Sequence, residues 1–258
     1  LLFCNEADYP YQLKVGPEIP SAMAATIGML RSEVRVPFGV NILWDAIASL
    51  ALARATGASF IREVLTGVYE SDLGMIEPKI GEIAGYRTMI GAADVALFDN
   101  VLPEFASAIG SRGVADRAKG AAFLGMDAVL ISGPAAGVPF AMSDLRTAKE
   151  AIPGTPVIAN TGVRAERMEE IFAVADGAIV GTSGGQNGTP FSRAFIWHQG
   201  TTLILPSAPG GINSAASASR NQDWVLLNSI FSDNTLHGFA YFDGAYFDLG
   251  ILPGRIRT

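Results

Sequence analysis

With 258 residues and a hydrophobic fraction of 49%, the chain can fill the core of one large α/β domain or two smaller ones. A net charge of −7 disfavours nucleic acid and anionic membrane as partners, and no apolar run reaches the roughly eighteen residues that a membrane span requires. The single Cys4 excludes an internal disulfide and, with no signal peptide visible, points to a reducing, cytoplasmic location.

From the start to about Ser183, short apolar runs alternate with amphipathic stretches of helical period, the pattern of βα units feeding a parallel sheet. In chain order the predicted strands are "LLFCNE" (1–6), "PFGVNIL" (37–43), "SFIREVL" (59–65), "DVALFDN" (94–100), "DAVLISG" (127–133), "PVIANTG" (156–162) and "GAIVGTS" (177–183). Helices are predicted between them over 18–34, 44–56, 77–91, 111–125, 142–151 and 164–174, with Ser143 as the N-cap of the fifth. Near-continuous apolar strands imply a sheet covered on both faces, in a closed barrel or a doubly wound sheet. Polar residues at the strand ends favour the barrel, since Glu6, Asn41, Arg62, Asp99, Asn100, Ser132, Asn160, Thr182 and Ser183 would then converge on one mouth.

After Ser192 the composition changes. Residues 191–258 hold four Arg and four Asp with no Lys or Glu, so the whole negative charge belongs to residues 1–190. The segments "AFIWHQGTTLILPSAPGG" (194–211) and "GFAYFDGAYFDLGILPGR" (238–255) superpose with a constant shift of 44, Phe195 on Phe239, Trp197 on Tyr241 and Gly200 on Gly244. A period in the forties built of aromatic strand pairs predicts propeller-like repeats, of which about one and a half copies are present. The expected organisation is a barrel over 1–188 and a β-rich repeat segment over 189–258.

The strand ends "ANTG" and "VGTSGG" carry small residues that let backbone N–H groups approach an anion, as the loops after the last two strands of barrels often do. Gly162, Gly181, Thr182 and Ser183 are therefore candidate phosphate contacts, the plainer alternative being tight turns. Glu6, Glu63, Asp72 and Asp99 are candidate acid/base groups, with Glu6 and Asp99 preferred, and each also reads as a structural carboxylate. Arg62 ends an apolar strand, so burying it demands an anionic partner: Glu63, Asp99 or a substrate. Asn41, Ser132 and Asn160 complete the candidate substrate contacts. With both histidines in the last 68 residues, Ser132 has no base for a Ser-His-acid nucleophile and the α/β part has no histidine-based zinc site. No metal site and no cofactor is assigned, and the expected partner is a phosphorylated small molecule, with self-association left open.

The strings "PFGVN", "FIREVLTGVYESDLG" and "ANTGVRAERMEEIFAVADG" resemble the BtpA family, and its SgcQ-like branch above all, over roughly residues 1–183. The resemblance implies a TIM barrel of the ribulose-phosphate-binding type. It implies too an association with photosystem I biogenesis in cyanobacteria or, for the SgcQ-like branch, with sugar-utilisation operons. It carries no catalytic residues across. Against the family pattern, the first barrel strand and helix would precede Leu1, and the family's ending, a polar segment and a closing helix, is expected to be replaced from Gly184 onward. The segment "HGFAYFDGAYFDLGILPG" resembles HAF repeats of extracellular proteins, which imply β-propeller blades. The expected function is a barrel that binds a phosphorylated small molecule and acts in sugar-phosphate metabolism. The alternatives are an assembly factor without turnover and a gene fragment or chimera.

Overall fold

The computed structural model describes residues 1–180 apart from 7 and 33, together with the backbone of strand segments between 195 and 251. The chain divides into two units, Leu1–Gly162 with Ile171–Ile179, and Val163–Glu170 with Val180–Thr258.

All seven strands expected for the sheet form. They are β1 (Leu2–Cys4), β2 (Gly39–Asn41), β3 (Phe60–Glu63), β6 (Ala96–Leu102), β8 (Ala128–Ile131), β9 (Val157–Ala159) and β10 (Gly177–Ala178). They pair in chain order and all in parallel, from Leu2 opposite Gly39 at one edge to Gly177 opposite Ile158 at the other. Consecutive parallel order is the order of a (β/α) barrel, whereas a doubly wound sheet reverses direction midway. Among the described residues β1 and β10 do not pair with each other, so the barrel-type sheet is open. Val40, Ile61, Val129, Leu130, Ile131 and Val157 are almost wholly buried, as burial on both faces requires.

The helices α1 (Glu18–Leu30), α2 (Ala46–Thr56), α3 (Ile80–Met89), α4 (Val114–Phe123), α5 (Met142–Ala151) and α6 (Met168–Phe172), the last preceded by a 3-10 turn at Ala165–Arg167, fall where the periodicity places them. Helix α2 is bounded by local chemistry: Asp45 accepts the Ala48 N–H at 3.0 Å at its start, and Gly57, at φ 74°, closes its end. Ser143 is not the cap of α5. The helix begins at Met142 after an extended Ala141, so Ser143 already lies within its first turn, past the N-cap position at Ala141. At the opposite end of the sheet, carboxylates clamp neighbouring strands: Asp127 accepts the Leu97 N–H and Asp176 that of Val157, both at 2.8 Å.

One element escapes the periodicity. Strands β4 (Tyr69–Ser71), β5 (Gly74–Ile76) and β7 (Ala106–Ala108) form a small antiparallel sheet in the order β5-β4-β7. Three-residue strands are too short to show alternation, and they lie in stretches that read as loops. Asp72 falls in the exposed turn between β4 and β5.

The second unit carries antiparallel strands: a hairpin of β11 (Phe195–His198) with β12 (Thr201–Ile204), and a meander of β13 (Gly211–Arg220), β14 (Trp224–Phe231), β15 (Leu236–Phe242) and β16 (Ala245–Ile251). Trp197 pairs with Thr202 in the first hairpin and Tyr241 with Tyr246 in β15–β16, the same register displaced by the 44 residues of the sequence repeat.

Candidate functional site

The C-terminal ends of β2, β3, β6, β8 and β9 bring together side chains that the sheet itself does not use. Asn41 ends β2, Arg62 and Glu63 end β3, Asn100 lies late in β6, and Ser132 and Asn160 directly follow β8 and β9. All six are buried, Arg62 to 9% exposure and Asn41, Ser132 and Asn160 to 1% each. Arg62 donates through Nη1 to Asn41 Oδ1 at 2.9 Å and through Nη2 to Glu104 Oε1 at 3.2 Å. The Asn160 amide turns its oxygen to the guanidinium, since its nitrogen there would set donor against donor. It accepts from Arg62 Nη2 at 2.6 Å and from Ser132 Oγ at 2.8 Å. Asn100 Nδ2 donates to Ser132 Oγ at 2.9 Å and to Glu104 Oε2 at 3.2 Å, and the Thr161 hydroxyl donates to Glu104 as well.

The anionic partner of Arg62 is therefore Glu104, not Glu63 or Asp99. Glu104 stands in the "LPEF" segment after β6, with no strand-end pattern to mark it, and only the fold turns it towards β3.

Glu63 and Asp99 follow different courses although adjacent in the sheet. Asp99, completely buried, accepts the Leu65 N–H at 2.7 Å and the Thr66 hydroxyl at 2.6 Å, which fixes the turn leaving β3. Burial lifts its pKa to about 6 against the pull of those bonds. Glu63 accepts from Asn41 Nδ2 and Ser49 Oγ, both at 2.6 Å on Oε1. Burial pushes its pKa up to about 8, with Ser49, Asn41 and Arg62 opposing, so it holds a proton at neutral pH. Cys4 donates weakly to Asn41 Oδ1 at 3.5 Å, and burial raises its thiol to about 12, leaving it unreactive. Glu6 is exposed and is not part of the cleft lining. Crowding by the surrounding chain raises its carboxyl, Arg62 opposing and Glu104 adding to the rise.

Beside this network opens a small cleft, its enclosed space about 20 Å³, lined by Asn41, Leu43, Trp44, Arg62, Glu63, Val64, Asn100 and Glu104. Its lining holds Glu63, and neither preferred acid/base candidate, Glu6 or Asp99, belongs to it. No motif or strand-end position in the sequence marks Trp44. Its φ of 75° is a left-handed conformation that costs a bulky residue ~1–2 kcal/mol.

Of the phosphate candidates, Gly181, Thr182 and Ser183 lie outside the described residues. Gly162 has φ 74°, and a Cβ there would lie 2.6 Å from Pro139 Cα and N. Its lack of a side chain is thus required by the loop after β8, independently of any anion. Among the described residues there is no group of three His, Cys, Asp or Glu placed to hold a metal ion, and no helix is long and apolar enough to cross a membrane.

Comparison with known proteins places the chain. The model of the BtpA family matches residues 1–194. SgcQ, an sgc region protein of Escherichia coli, is 45% identical over 184 residues, covering 71% of this chain and 69% of that protein. The photosystem I biogenesis protein BtpA of Synechocystis is 35% identical over 181 residues, covering 69% of this chain and 62% of that protein. A protein of Archaeoglobus fulgidus is 33% identical, covering 70% and 73%. Among solved structures, thiamine phosphate pyrophosphorylase from Pyrococcus furiosus gives a TM-score of 0.44 at 15% identity, covering 69% of this chain and 83% of that one. Phosphoribosyl anthranilate isomerase from Thermus thermophilus gives 0.42 at 15% identity, covering 69% and 74%. The barrel order of the sheet rests on its own pairing, and the sequence matches settle the kinship: this chain belongs to the BtpA family.

Proposed function

We propose that the chain binds a phosphorylated small molecule at the C-terminal edge of its parallel sheet and acts as an enzyme of sugar-phosphate metabolism. In this reading Asn41, Arg62, Ser132 and Asn160 frame the substrate, and the backbone at Gly162 takes the phosphate. Glu63 replaces Glu6 and Asp99 as the acid/base group, because it lines the cleft and keeps its proton at neutral pH. The observation that carries the reading is the buried Arg62–Glu104–Asn41–Asn160–Ser132 network at converging strand ends beside an open cleft. Burying a guanidinium and a carboxylate costs more than apolar packing would, and such groups recur where a ligand must be oriented.

The reading is tested by thermal shift with a panel of pentose and hexose phosphates. Rises in Tm are expected with a subset and are lost in the Arg62→Met/Glu104→Gln double variant, which strands no lone charge. A second reading, an assembly factor without turnover, is favoured by the likeness to a protein named for photosystem I biogenesis. No shift with any phosphate ester would select it.

A further inference from the structure

Trp44, a residue of the cleft lining, combines two uncommon features. Its backbone is left-handed at φ 75°, and its indole Nε1, closed off from solvent, has no hydrogen-bond partner among the described residues. Buried N–H donors left unpaired are rare, and each one calls for a cause. The conformation is enforced from outside the residue. The Asp45 N–H donates to Ile42 O at 2.9 Å, the Leu43 N–H to Asn5 Oδ1 at 2.9 Å, and Asp45 Oδ2 accepts the Val15 N–H at 3.0 Å. The side chain packs against Val64, which follows β3, and against Tyr69 and Ile76 of the small antiparallel sheet, while the residue also lines the cleft. That packing accounts for an apolar ring at this position but not for its buried N–H, which a phenylalanine would lack.

The charge of the cleft decides which part of a ligand suits it. Arg62 is matched by Glu104, and Glu63 is neutral at pH 7, so no positive charge is left over for a phosphate. A phosphate dianion would meet the Glu104 carboxylate, whereas a carbonyl or hydroxyl oxygen would meet neutral donors and the apolar walls of Leu43 and Val64. We infer that the Trp44 indole N–H is a ligand contact that donates to an uncharged oxygen, carbonyl or hydroxyl, of the bound sugar, the ring turning to uncover its nitrogen as the ligand enters. This rests on the proposed small-molecule site and assigns its non-phosphate end.

The test follows the indole ¹H–¹⁵N resonance of Trp44 in the full chain, identified by its loss in Trp44→Phe. If that variant does not fold, Trp197→Phe combined with Trp224→Phe leaves the Trp44 signal alone. Three probes are added: pentose and hexose phosphates, the same sugars unphosphorylated, and inorganic phosphate. The expected result is a shift of the resonance with the sugar phosphates and none with inorganic phosphate, and about three- to tenfold weaker sugar-phosphate binding in Trp44→Phe. A shift with unphosphorylated sugars alone supports the Trp44 contact while removing the phosphorylated ligand of the proposed function. A thermal shift with sugar phosphates while the indole resonance stays still overturns the Trp44 contact and leaves the proposed function standing. A resonance that inorganic phosphate moves, or that no probe moves, also overturns the contact.

Discussion

Arg62 and Glu104 meet at 3.2 Å across 42 positions of sequence, with their side chains only 10% and 11% exposed. Each neutralises a charge that neither β3 nor the segment after β6 could bury alone. Removing either partner strands the other, at a cost of ~3–5 kcal/mol. Urea unfolding of Arg62→Met, Glu104→Gln and the double variant is expected to show strong coupling, the double losing clearly less than the two singles together. Additive losses would mean that the pair is not a unit.

Glu63 sets a pH dependence with a definite sign. Its folded pKa, about 8, lies above the ordinary carboxyl value, so the folded chain holds a proton that the unfolded chain releases. Stability from this group is full below the ordinary carboxyl range and falls as pH rises through about 8. Glu63→Gln keeps an oxygen for Asn41 and Ser49 and cannot ionise. Its Tm is expected to exceed that of the native chain at pH 9 and to approach it at pH 5. Parallel Tm profiles across this span would show that Glu63 does not carry the charge change.

Two glycines with the same backbone angle separate strain from crowding. Gly57 and Gly162 both have φ 74°, yet a Cβ at Gly57 meets nothing within 4 Å whereas one at Gly162 runs into Pro139. Gly57→Ala is expected to lose ~1 kcal/mol from the backbone alone, and Gly162→Ala distinctly more. Chemical denaturation of both, without ligand, checks this. Equal losses would mean that the loop after β8 yields easily, which would restore Gly162 variants as a clean probe of phosphate binding.

Much of the first unit was legible in the residues. The seven strands and six helices follow from apolar runs of the right length, and Asn41, Arg62, Ser132 and Asn160 stand out as polar residues ending such runs. Glu104 and Trp44 did not stand out, because neither ends a predicted strand, and one is drawn in by a cross-sheet ion pair while the other is held by a turn closed from Asn5 and Val15. Asp99 and Glu63 looked alike, being the same kind of group on neighbouring strands. They part only because the turn after β3 brings its own donors to Asp99, while α2 supplies Ser49 to Glu63.

The order of residues settles the alternation of strand and helix, the family, and the 44-residue echo between the two C-terminal hairpins, since periodicity and local propensity act over a few neighbouring positions. Which polar groups face one another was decided only by the tertiary structure. Bonds such as that from Thr161 to Glu104 join residues 57 positions apart, and they exist only once parallel pairing has set the strand ends side by side in a buried, low-dielectric space where an unpaired charge is costly.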